Sequence, residues 1–347
     1  MFKKLYKTKI IILLLIFIFS VLFSITLGDV RIPFLDTARI IISEINIFSF
    51  EINIDHIKKS HIFIVTNIRL PRILLASLVG AILSVVGTSY QAIFKNPMAD
   101  PYVMGVSSGA AFGATIGIIL GISKGILGFG LTSIMAFAGA LLTTILVYNL
   151  ARIGNKISTT SILLAGIVVS SILSAGISLM MIFNHDDLAN IVSWTMGSFN
   201  GASWTQIAVI LIPALIGTLF LSSFSRELNA IVLGEEQAQN LGVNVEFTKK
   251  IILITASFLA ASAVSVSGII GFVGLIVPHL FRLIFGADHR ILLPVSVIGG
   301  AIFLLICDTL ARTVLQGIEI PVGIITSVFG GPFFLYLLKR NKSKRLV

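Results

Sequence analysis

Few residues in this chain could do chemistry, and they are scattered. Asp308 and Arg312 stand four apart near the end of a long apolar run, and His279 follows Pro278 inside another. A carboxylate or histidine at mid-membrane depth is the usual mark of a proton or ion relay. The Asp308–Arg312 spacing fits an ion pair at a helix end, and a histidine beside a proline break fits a hydrogen-bonded packing residue. His56, His61, His185 and His289 show no metal-ligand spacing. The one cysteine, Cys307, leaves no internal disulfide or cysteine-built metal site and reads as a small buried hydrophobe. No Ser/His/Asp or paired-carboxylate arrangement argues for catalysis. The chain also has no Gly-Lys dipeptide, so the phosphate-cradling loop of an ATPase is missing. The expectation is a non-enzyme that binds no metal or cofactor of its own. Any ATP hydrolysis would belong to a separate polypeptide.

The stronger signals are glycines and breaks. From Arg69 to Gly121 two apolar spans flank a polar hinge, Lys95-Asn96-Pro97-Met98-Ala99-Asp100-Pro101. The second span sets Gly105, Gly109, Gly113, Gly117 and Gly121 at i+4 steps, which on a helix gives one smooth ridge for a close neighbour. Further on, an apolar stretch is interrupted around Gly268, Gly271 and Gly274 and carries Pro278; such a break is tolerated only where protein or a water-filled cavity surrounds it. In LGEEQAQNLGV, Gly234, Ala238 and Gly242 recur at i+4, giving a short polar helix one narrow face. That face would suit the groove of a partner protein, or would be an ordinary solvated connector.

The elements that must position these residues are membrane helices. Of 347 residues 56% are hydrophobic and 12% charged, and the mean hydropathy is +1.04, values outside the range of soluble domains. The fold class is therefore all-α, a single polytopic domain over 1–347 with about ten spans in a compact bundle. The spans fall near 10–28, 70–94, 103–121, 128–150, 161–183, 205–224, 250–268, 269–286, 291–311 and 322–338. The charged start MFKKLYKTK resembles a signal peptide, but the apolar run to Leu27 is too long and no A-x-A site follows, which predicts an uncleaved first span.

The net charge of +10 raises the question of sidedness rather than nucleic acid. With the N-terminus inside, 17 of the 25 Lys and Arg residues fall on the inner side, and six of the eight outer ones sit in or beside residues 29–72. Both termini are thus expected in the cytoplasm. Residues 29–68 form an outer segment in which Leu35, Ala38, Ile41, Ile42 and Ile45 predict a helix lying on the membrane surface. Residues 184–204, with Trp194 and Trp204, form a second outer segment, and 225–249 is the largest and most polar inner loop.

These segments together resemble the permeases of the iron-chelate uptake (FecCD) type of ABC importers, which take up ferric siderophores, haem and vitamin B12. The likeness runs from residue 69 to about 340. It is carried by Arg69-Leu70-Pro71-Arg72, by Gly87 to Gln91 with the hinge 95–101, by Gly105 to Ala110, by Trp194 to Ser198, by Leu233-Gly234 with Ala238 and Leu241-Gly242-Val243, by Gly268 to His279, and by Ile320 to Gly323. GFVGLIVPH and KNPMADP are the most specific; Met98 and Ile269 depart from the family's usual Leu and Pro.

The resemblance implies two permease subunits side by side in the inner membrane of a prokaryote, the second copy identical or similar. Two cytoplasmic ATPase subunits using ATP would sit below, and an extracytoplasmic solute-binding protein would dock above. It implies that Arg69, Arg72 and Arg312 grip acidic residues of the binding protein. It also implies that the helix pair around Leu233, Gly234, Glu235, Ala238, Leu241 and Gly242 couples to the ATPase. The cargo it implies first is a ferric siderophore, with haem or cobalamin as the alternatives, passing along an uncharged path between subunits. An ion-coupled secondary transporter is the competing class and would need a functional acid in mid-membrane, for which only Asp308 is available.

Overall fold

The computed structural model describes residues 2–28, 30–45, 56–121, 130–154, 156–315 and 317–345. Lys124, and the side chains of Lys3, Lys4, Lys156, Arg340, Lys342, Lys344 and Arg345, which entered the count of charges by side, lie outside the described residues.

Ten apolar helices match the ten expected stretches: α1 (Phe2–Thr26), α4 (Leu70–Ile93), α5 (Val106–Ile119), α6 (Leu131–Ala151), α7 (Thr159–Phe183), α9 (Trp204–Ser223), α12 (Val245–Ser267), α13 (Val273–Phe285), α14 (His289–Ala311) and α15 (Val322–Arg345). Among the described residues seven continuous helices are long and apolar enough to cross a membrane. α5 and α13, with 14 and 13 residues, are too short to cross alone at about 1.5 Å per residue. Both begin at breaks, and those breaks matter below. The remaining helices are α2 (Phe34–Ile45), α3 (Lys59–Phe63), α8 (Leu188–Thr195), α10 (Ser225–Leu233) and α11 (Glu235–Asn240); a two-residue ladder pairs Arg152–Ile153 with Lys156–Ile157.

The second span starts earlier than its hydropathy suggests. α3 runs through a π-helical turn, Ile64–Arg69, into α4, giving 35 continuous helical residues. At about 1.5 Å per residue that exceeds the bilayer core, so this helix projects beyond it. α4, α12 and α14 form the centre, and α4 is the most enclosed. Glycine lets them touch: Gly80 and Gly300 lie backbone to backbone, and a Cβ on either would strike the other's carbonyl oxygen. Around them α1, α6, α7 and α9 expose large apolar faces, such as Leu142, Ile145, Leu164, Ile172, Leu215 and Leu219, as helices facing lipid or another membrane subunit must.

The five-glycine ridge is corrected in part. Gly109, Gly113 and Gly117 do lie on α5 against α6, each close enough that a Cβ would clash with its backbone or with Thr143. Gly105 and Gly121 are outside the helix, in left-handed turns at its two ends. The i+4 spacing survives because the turns continue the sequence register, although the helix does not. α2 forms as expected; it buries Thr37 and Ile40, and Ile41 of the apolar stripe packs partly against the same cluster, while Leu35 and Ile42 of the stripe are exposed.

Candidate functional site: a broken helix between two charged clasps

Hydropathy alone gives no reason for α12 and α13 to part at 268–272; the local residues do. Gly268 takes positive φ at the end of α12, and Phe272 takes φ 69° as it caps α13. A bulky residue in that left-handed region is strained by about 1–3 kcal/mol and persists only if its surroundings hold it. They do: its ring lies against Gly330 of α15, where a Cβ would overlap it. The backbone groups freed by the break are satisfied by named partners. The Ser198 N–H donates to the Ser267 carbonyl at 2.8 Å. The Tyr102 hydroxyl donates to the Ile270 carbonyl at 2.8 Å and accepts from the Ile270 N–H at 3.2 Å.

Close approaches fix the break on three sides. Gly87 of α4 abuts Gly274, which also faces the Pro101 ring; Gly197 abuts Ile269; Gly323 of α15 abuts Met196 and Ile269. Gly271 has open space around it, so of the break's glycines it alone makes no close contact. Pro278 lies inside α13, and His279 packs edge-on to Phe333 of α15, as a packing histidine should.

Beside the break lies a cavity of about 590 Å³ lined by Ser265, Ser267, Gly268, Trp194, Asn190, Ser198, Gln206 and Glu319 among others. The expectation of a cavity or protein around the interruption is met, but its wall is hydroxyl- and amide-rich rather than apolar.

At this end of the bundle, the Arg72 end, sits a buried charge cluster. Asp308 is fully buried. Arg72 Nε donates to its two oxygens at 3.0 and 3.2 Å, and Arg72 Nη1 donates to both oxygens of Glu319 at 2.9 Å. The expected Asp308–Arg312 pair exists at 3.7 Å, but Arg72, reaching across from α4, is the tighter partner. Arg312 Nη1 donates to the Leu27 carbonyl at 2.7 Å, and its Nη2 to the Ser24 carbonyl and hydroxyl. Arg69 donates to the carbonyls of Ile25, Thr26 and Val30. All three guanidiniums are buried and bind α1, α4 and α14 together, while the Glu319 side chain is 41% exposed. The three arginines expected to grip a binding protein are thus buried in this chain, with their guanidiniums on its own carbonyls and carboxylates.

The opposite, Lys95 end carries a second clasp. Lys249, buried near the start of α12, holds Glu235 of α11 at 2.8 Å, and Lys95 of the hinge approaches the same carboxylate at 3.8 Å. Partial burial alone would raise the Glu235 pKa, but the hydrogen bond and charge of Lys249, then Lys95, hold it below the ordinary value. Asn229 of α10 accepts from the His289 N–H at 2.9 Å and donates to Asp288 at 2.7 Å, fastening α10 to α14. Arg282 of α13 donates to Gln91 at 3.0 Å, and Gln91 in turn donates to the Gly274 carbonyl at 3.2 Å.

The single narrow-faced helix expected over 234–242 is corrected. Gly234 and Gly242 are turn residues with φ 143° and 83°, flanking α11, and Ala238 is buried inside. The most exposed large apolar residues here are Leu233 at the end of α10, 71% exposed, and Leu241 just after α11, 67% exposed, beside the exposed polar Glu236, Gln237, Gln239 and Asn240.

Glu319, Tyr102 and Lys249 were not singled out by sequence. Tyr102 had a signal, since it follows a proline and the N-capping Asp100. Glu319 and Lys249 had none, their partners being far away in the chain. Among the described residues no three His, Cys, Asp or Glu side chains gather as a metal site.

The FecCD transport family model matches residues 14–340. The chain is 44% identical over 283 residues to the cobalamin import system permease protein of Halobacterium salinarum, covering 82% of this chain and 75% of that one. It is 42% identical over 284 residues to the hemin transport system permease protein of Yersinia pestis, covering 80% and 84%. A solved metal-chelate type ABC transporter in an inward-facing conformation superposes with a TM-score of 0.79 at 31% identity, over 96% of this chain and 99% of that one. The buried arginine cluster, the twice-interrupted helices and the apolar tips of α10 and α11 are therefore parts of a transporter subunit, and the chain belongs to the FecCD transport family as a permease of an ABC importer.

Proposed function

We propose that this permease is the gate for ATP-driven uptake of a bulky metal chelate, with a ferric siderophore as first candidate. Haem and cobalamin are the competing cargoes, favoured by what two relatives are named for. The observation that carries the reading is the broken α12–α13 pair, held by glycine contacts between a polar cavity and the hinge 95–101. A rigid element interrupted at depth, with different partners on each side, suits alternating access.

In this reading the Lys95 end faces the cytoplasm, in line with the excess of Lys and Arg there and both termini inside. Leu233 and Leu241, with Glu235 clamped behind them, seat in an ATPase subunit, one of two in the assembly that supply the ATP chemistry. A second permease copy completes the path. An extracytoplasmic solute-binding protein docks at the Arg72 end, over the layer that Arg69, Arg72 and Arg312 brace, and its acidic groups compete with Glu319 for Arg72. The whole chain acts as one membrane domain. Uptake by a deletion strain of radiolabelled iron as siderophore or haem, and of cobalamin, tests the cargo: loss of ferric siderophore uptake alone is expected, and loss of only haem or cobalamin uptake moves the assignment to that compound.

A further inference from the structure

We propose that the Tyr102 hydroxyl is a pin that locks the hinge between α4 and α5 to the α12–α13 break, making it a positioning residue for the access switch. The inference rests on the reading of this chain as an ATP-driven gate.

Both main-chain polar groups of Ile270 go to this one hydroxyl. Ile270 is 1% exposed, and an unpaired amide at such a site is strongly disfavoured. A tyrosine phenol is one of the few side-chain groups that can donate and accept at once. A phenylalanine would fill the same space and leave both groups without a partner.

The short helix that carries Tyr102, Pro101–Met104, is wedged on its other sides. Asp100 caps it by accepting from the Tyr102 N–H at 2.9 Å. The Pro101 ring meets Gly274, and the Val103 carbonyl meets Gly166 of α7 with no room for a Cβ. The hinge therefore cannot shift without carrying Tyr102 with it. On the far side of the break, Gly197 and Gly323 press on Ile269, and Ser198 holds Ser267. The hinge, the segment after α8 and the start of α15 thus all meet at residues 268–272. Phe272 adds backbone strain there, which persists because the surrounding contacts hold it.

A hydroxyl suits a pin that must open. The polar cavity reaches Ser267 and Gly268, three and two residues before the pinned one, so water has a route to the Ile270 groups once the hinge pulls away. Apolar packing alone would offer no such exchange.

The test uses the complete transporter, permease with its ATPase and binding protein, in vesicles. Tyr102→Phe is expected to cut transport per ATP hydrolysed about tenfold while ATPase stimulation by the binding protein stays within about twofold. Hydrogen exchange at 268–272 should speed up in step. Replacement of Tyr102 by 4-aminophenylalanine, which still donates and accepts, should restore the ratio, and 4-methylphenylalanine, which fills the space without hydrogen bonding, should not. Parental transport per ATP in Tyr102→Phe, or equal behaviour of the two unnatural variants, overturns the pin. Should Tyr102→Phe fail to assemble, the unnatural pair decides alone, and failure of both with the parent intact makes Tyr102 merely structural and ends the proposal. Absence of ATP-dependent uptake by the parent complex would instead sink the reading as a gate.

Discussion

Arg72 and Asp308 lie 236 residues apart in sequence, and the Arg72 Nε donates to both oxygens of the fully buried Asp308 carboxylate at 3.0 and 3.2 Å. Arg312 shares the same carboxylate, so one anion sits between two cations. Such a cluster is costly to assemble and more costly to break, since removing one partner strands the others.

Asp308→Asn should therefore destabilise the permease by about 3–5 kcal/mol, read as a fall in the thermal midpoint in nanodiscs. Glu319→Gln, at a half-exposed pair, should cost under about 1 kcal/mol. Equal costs would contradict the division between a buried strut and a surface pair.

The two members of the Arg72–Glu319 pair predict opposite effects on docking. Glu319→Gln leaves Arg72 one fewer resident partner and should tighten association of the binding protein about three- to tenfold, a gain of about 1 kcal/mol. Arg72→Glu should weaken it. Surface-bound permease titrated with binding protein at two salt concentrations reads both; weaker binding in Glu319→Gln would show that Glu319 belongs to the docking surface itself.

At the other end, Leu233→Asp and Leu241→Asp should release the ATPase without unfolding the permease. Each leucine buried at an interface is worth about 1.5–3 kcal/mol, so the double variant should lower ATPase affinity at least 100-fold in co-purification. Retained ATPase binding would move the coupling site elsewhere.

Glu235 gives a pH signature. Its folded-state pKa lies below the ordinary 4.5, so the clasp contributes fully above that value. The contribution is lost as pH falls through the lower folded value. Amide exchange in α11, corrected for the intrinsic pH effect, should quicken as pH drops below about 4.5 and be quick at every pH in Glu235→Gln. A pH-independent difference between the two proteins would contradict the clasp.

Ten apolar stretches, the interrupted seventh and eighth spans and the buried Cys307 were legible because hydropathy and glycine spacing are local properties. The ends of those patterns were not. Gly105, Gly121, Gly234 and Gly242 keep helical spacing but take positive φ at helix ends, and spacing cannot tell a ridge from a cap. Arg69, Arg72 and Arg312 were visible as outer charges, yet their burial depends on α1 carbonyls and on Glu319, which only the folded packing of distant segments brings near. Tyr102 was hidden for the same reason: its partner lies 168 residues away.

The central claim is that this permease moves solute only when driven by partners at the Lys95 end. Purified permease alone in sealed vesicles should show no accumulation of ferric siderophore against its gradient, under any imposed ion gradient. With ATPase, ATP and binding protein added, accumulation should begin. Uphill uptake by the lone chain would contradict the account.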